Sequence, residues 1–121
     1  MEDMPQESIR ALVVEDHHVV RQGVVALLGA VDGIEVVGEA ADGAEAIEQF
    51  AKHQPDVTLI DLRMPRKSGV EVMQHVLAEA PQARFVVLTI NDGDEDVFRA
   101  LSAGARAYLL KGVRASVLWR S

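Results

Sequence analysis

Three carboxylates, a hydroxyl and an amine stand where apolar runs of this 121-residue chain end. Glu15 and Asp16 follow IRALVV, Asp61 closes DVTLI, Thr89 closes RFVVL, and Lys111 follows AYLL. If those runs are strands of one parallel sheet, their carboxyl ends share an edge and the carboxylates are neighbours. Alone, such a cluster is costly, because two like charges about 4 Å apart repel by about 4 kcal/mol at an intermediate dielectric. A hard divalent cation relieves the repulsion. Mg²⁺ suits the set, since it takes oxygen ligands, keeps several waters and is often shared with phosphate. Lys111 offers a point charge for a phosphoryl oxygen, and Thr89 a hydroxyl donor. The set predicts a phosphoryl-accepting site in which a carboxylate attacks while metal and lysine offset the developing charge.

The elements that must hold these residues alternate along the chain. IRALVV (9–14) reads as a strand. HHVVRQGVVALLGA then places Val20, Val24, Leu27 and Leu28 on one helical face, with Asp16 or His17 to begin the helix and Gly29 or Gly33 to end it. IEVVGEA (34–40) is a second strand, and GAEAIEQFAKH is a helix with Ile47, Phe50 and Ala51 on one face. DVTLID (56–61) is a third strand. A helix near 69–80 pairs Val72 with Val76 and Met73 with Leu77, and Pro81 closes it. RFVVLT (84–89) is a fourth strand, DEDVFRALSAG a helix with acids in its first turn, and AYLL (107–110) a fifth strand. RASVLWRS begins a shortened last helix. Near-continuous apolar strands between amphipathic helices predict an α/β protein with a doubly wound five-stranded parallel sheet. The expected strand order is 2-1-3-4-5, with first and third strands adjacent and a ligand site where the connections diverge between them.

Composition narrows the classes. The length fits one domain with one core, expected over 9–121 behind a disordered tail at 1–8. That tail is acidic and lacks an apolar centre, so it is not a signal peptide. The absence of cysteine excludes disulfides, thiolate zinc sites and thiol catalysis, and suits a cytoplasmic protein. No apolar run is long enough to span a membrane. A net charge of −7 argues against direct nucleic-acid contact, which needs a basic face.

The stretches VVEDHHVVRQGVVALL, DVTLIDLRMPRKSGVEVM, VVLT and GARAYLLKG together resemble the receiver domain of two-component response regulators. EDHHVVRQGVVALL and YLLKG resemble the branch whose receivers precede a LuxR-type helix-turn-helix output domain. The resemblance implies a flavodoxin-like fold and a signalling switch controlled by phosphorylation. It implies that Asp61 is the phosphoacceptor, that Asp16 binds Mg²⁺ directly and Glu15 through water, and that the Arg63 backbone carbonyl completes the protein's metal ligands. Thr89 and Lys111 would grip the phosphoryl group, and Tyr108 would turn inward when Thr89 moves. The donor would be a phosphohistidine on a sensor histidine kinase. The 94–121 face would respond and form a homodimer, and the protein would catalyse its own phosphorylation and dephosphorylation without being a conventional enzyme. Three features depart from the family pattern: the acid pair is Glu-Asp rather than Asp-Asp, Gly112 stands where many receivers have proline, and Arg63 and Asn91 border the site, where their side chains bear on phosphate lifetime.

Each residue also has a plainer reading. Asp16 alone is a helix N-cap, Asp61 a turn acid, Thr89 a strand residue, Lys111 a solvated charge and Tyr108 edge packing. His17 and His18 read as first-turn helix residues, because no second ligand pair is spaced to join them. The acids at 92, 94, 95 and 96 suit a helix start better than a Ca²⁺ loop. Two other functions use the same sheet. One is a phosphorylation-independent interaction module. The other is an aspartyl-phosphate phosphatase, disfavoured because Arg63 stands where such enzymes place a second acid. A flavin or dinucleotide site is weaker still, as no G-x-G-x-x-G follows the first strand.

Overall fold

The computed structural model describes residues 8–62, 64, 68–89, 107–110 and 117–119, with backbone alone at 89, 107–110 and 117–119. Six strands and three helices are described: β1 (Ile9–Val14), α1 (His18–Gly29), β2 (Ile34–Ala40), α2 (Gly43–His53), β3 (Val57–Asp61), α3 (Gly69–Glu79), β4 (Phe85–Thr89), β5 (Ala107–Leu110) and β6 (Val117–Trp119). The sheet order is β2-β1-β3-β4-β5-β6. The first five strands run parallel in the expected order. The disordered tail expected at 1–8 falls largely outside the described residues, as does the helix expected at 94–104.

The last segment differs from expectation. Val117–Trp119, read from sequence as part of a shortened helix, is a strand antiparallel to β5. A β-branched and an aromatic residue suit a pleated surface, and β5 would otherwise leave a row of backbone donors and acceptors at the sheet edge.

Alternation along the strands divides the core between the two faces of the sheet. Leu12, Val14, Ile60, Phe85 and Val87 point to one face, where Ala46 of α2 and Val72, Met73 and Val76 of α3 cover them. Ala11, Val13, Leu59, Val86 and Leu88 point to the other, under Val24 of α1. Each such aliphatic side chain removed from water contributes about 1.5–3 kcal/mol before entropy is charged. The inner strands are therefore apolar on both faces, as a sheet covered on both sides demands.

Two helical faces are rotated from those expected. In α1 the buried arc turns toward Val25, which packs on the core with Val20 and Leu28, and leaves Leu27 63% exposed. In α2 the arc turns toward Ala46, whose small side chain permits close approach to the sheet, and leaves Ala51 exposed. Local chemistry sets the helix starts. Asp42 accepts from Glu45 N at α2. At α3, Ser68 and Glu71 form a reciprocal capping box of 3.2 and 2.9 Å bonds.

Candidate functional site

Register brings the acids together. Val14 pairs with Ile60, so Glu15, the next residue, stands level with Asp61 at the carboxyl edge of the sheet. β1 has β2 on one side and β3 on the other, so the chain diverges at this edge. Glu15 is fully buried and Asp61 is 4% exposed. Glu15, Asp16, His17 and Asp61 each offer one ligand atom, and these atoms all lie within 4.8 Å of one another.

The β1–α1 connection fixes the first two acids. A one-residue slip in β2 moves the pairing from Ala11–Val36 to Leu12–Gly38. Ala40 O thereby receives Glu15 N at 3.0 Å. The Glu15 carbonyl accepts from Arg21 Nη1 at 2.8 Å. Its side-chain Oε2 accepts from His17 N at 3.1 Å and lies 3.1 Å from His17 Nδ1. Asp16 has a different environment. Its Oδ1 is buried and makes no hydrogen bond among the described residues, although His17 Nδ1 is 3.2 Å away, because that nitrogen is directed to Glu15. Asp16 is not the helix cap. His17 holds that position and makes no side-chain cap bond.

Asp61 is held from behind. Its strand ends one residue before Leu62, whose carbonyl accepts from Gly69 N at 2.9 Å. The start of α3 thus lies directly on the backbone of the acid. A Cβ built at Gly69 would fall 2.5 Å from Asp61 O and 2.8 Å from Leu62 Cα, closer than real contacts allow. Glycine is required there by space.

The donor set fits a hard cation. Three carboxylates supply oxygen from two adjacent strand ends, and a buried Asp16 oxygen lacks a proton donor. A divalent ion bound to oxygen would satisfy that atom and offset the like charges. His17 adds a nitrogen to the cluster, which the sequence reading assigned only to a helical turn. The spacing of two acids and a His in EDH was the available signal. Gly69 and Arg21 were also missed. Both lie in stretches that carry the resemblance, but their roles arise from contacts made across the fold. Of the other expected site residues, Thr89 has its backbone at the end of β4, paired with Leu110. Tyr108 lies on β5 between Val87 and Leu118. Arg63 and Lys111 lie outside the described residues.

Comparison with known proteins bears on the fold that carries these residues. Residues 11–120 match the family described as the response regulator receiver domain. The chain is 38% identical over 113 residues to the DNA-binding transcriptional activator DevR/DosR of Mycobacterium tuberculosis, covering 93% of this chain and 52% of that protein. It is 39% identical to the solved signal receiver domain of a Mycobacterium tuberculosis response regulator, covering 89% of this chain and 87% of that one, with a TM-score of 0.82. A LuxR-family two-component response regulator from Aurantimonas sp. SI85-9A1 is 33% identical, covers 84% and 73% of the two chains, and gives a TM-score of 0.80. The chain spans about half the length of the curated relatives it matches.

Proposed function

Because the chain belongs to the response regulator receiver domain family, we propose that it is a phosphoacceptor switch charged at Asp61 by a sensor histidine kinase. The observation that carries this reading is the placement of Asp61, 4% exposed at the end of β3, within reach of Glu15 and Asp16. An Asp61 carboxylate oxygen attacks the phosphorus of a phosphohistidine. The P–N bond breaks, the imidazole leaves, and an acyl phosphate remains on Asp61. Glu15, Asp16, Asp61 and the Arg63 carbonyl would hold Mg²⁺, which supplies charge neutralisation and orientation for phosphoryl oxygens. The Lys111 amine and the Thr89 hydroxyl bind the remaining oxygens, and Tyr108 follows Thr89 inward. The phosphorylated form is then favoured in a two-state equilibrium by the contacts made only in that state.

The relatives are about twice as long, and one is a DNA-binding activator. In this reading residues 9–121 are the receiver of a regulator whose output acts on transcription, and the 94–121 face is its homodimer surface. Among the described residues no helix is long and apolar enough to cross a membrane, and a cytoplasmic location fits the kinase partner. The test is incubation of the chain with an acyl-phosphate donor and Mg²⁺, read by intact mass. One phosphoryl group is expected on the parent and none on Asp61→Asn. An adduct that persists on Asp61→Asn would overturn Asp61 as the acceptor, and an unmodified parent would overturn the reading and favour a phosphorylation-independent interaction module.

A further inference from the structure

Arg21 lies one helical turn into α1 and its side chain is 15% exposed. Its guanidinium uses three nitrogens on three parts of the fold. Nη1 donates to the Glu15 carbonyl at 2.8 Å, Nε to Glu39 Oε1 of β2 at 3.1 Å, and Nη2 lies 3.1 Å from His18 Nδ1. Gln22 Nε2 adds a 2.8 Å bond to the same Glu39 oxygen. The Glu15 carbonyl belongs to the peptide that leads into Asp16. We propose that Arg21 is a positioning residue for the cation site, holding the Glu15–Asp16 peptide so that both acids converge on Asp61. The proposal rests on the Mg²⁺ reading given above.

Position and charge make opposite demands on this residue. Judged by charge alone, a guanidinium bonded to the Glu15 carbonyl repels a cation arriving at the neighbouring acids, and its removal would tighten binding. Judged by position, removal releases the peptide and weakens binding, as loss of a group that orients metal ligands commonly does by tenfold or more. Lysine separates the two effects. It keeps the charge but lacks the planar fork, so one ammonium cannot serve all three acceptors. Glu39→Gln separates them from the other side, since it removes a charge and keeps the acceptor for Nε.

The experiment is calorimetric titration of Mg²⁺ into the full chain and its variants, with thermal unfolding in EDTA to establish that each is folded. Arg21→Ala and Arg21→Lys are both expected to bind Mg²⁺ about tenfold more weakly or worse, Glu39→Ala to show a smaller loss, and Glu39→Gln to match the parent. If Arg21→Ala does not fold, Arg21→Lys and Glu39→Ala carry the same comparison. Tighter binding by Arg21→Ala with parental binding by Arg21→Lys would overturn the proposal and leave the cation site standing. A parent that does not bind Mg²⁺, or an Asp16→Asn variant that binds as well as the parent, would overturn both.

Discussion

Asp16 and Glu15 are adjacent in sequence and opposite in circumstance. Glu15 is enclosed and hydrogen-bonded through backbone and side chain, whereas Asp16 Oδ1 is buried without a donor. A buried acceptor left in this way costs about 1–3 kcal/mol. Gly69 has a comparable role on the far side of Asp61, where its missing Cβ makes room for the backbone of the acid. Gly69→Ala must push α3 away from β3 and is expected to cost about 1–3 kcal/mol, as overpacking does. Denaturant unfolding measures the cost, and slower acquisition of the phosphoryl group should accompany it. An unchanged midpoint would show that α3 does not bear on Asp61. The acids were legible in the sequence because each ends an apolar run. Gly69 and Arg21 were not, because nothing local distinguishes a glycine set by space or an arginine bound to a distant carbonyl.

At the scale of elements, period and length carried the reading. β1, β3 and β4 are continuous apolar runs because both faces of the sheet are covered, and their boundaries followed within a residue. Thr58 interrupts that pattern. It is 2% exposed, and its hydroxyl makes no hydrogen bond among the described residues. Thr58→Val replaces the hydroxyl with a methyl group of similar shape and is expected to stabilise the fold by about 1 kcal/mol. A raised unfolding midpoint would bear this out, and a lowered one would reveal a partner for the hydroxyl. Helix faces were less legible. Leu27 and Ala51 satisfy the helical spacing yet lie outside the buried arcs, since a period gives a stripe but not its rotation against the sheet. The capping box at Ser68 and Glu71 has the S-x-x-E spacing ahead of an apolar helix, a signal the sequence reading passed over. Val117–Trp119 went the other way, because three residues pair with a neighbouring edge more readily than they nucleate a helix.

For the molecule as a whole, the proposed cation site at the acidic edge would link stability to Mg²⁺ binding. A ligand that binds only the folded state stabilises it by about 2.7 kcal/mol when present at a hundred times its dissociation constant. Saturating Mg²⁺ is therefore expected to raise the unfolding midpoint above that in EDTA. Asp16→Asn should abolish this increase, and in EDTA it should be at least as stable as the parent, because it removes one of the clustered like charges. Equal Mg²⁺ responses in parent and variant would overturn the cation site. The sequence by itself determined the parallel α/β order, since hydrophobic period and element length are local properties. It also determined which acids end their strands. Only the tertiary structure decided that Glu15 stands level with Asp61, that His17 joins them, that Arg21 bonds the Glu15 carbonyl and that Gly69 abuts the backbone of Asp61. Those relations depend on strand register, on a one-residue slip in β2 and on close approach between distant segments, none of which a local pattern encodes.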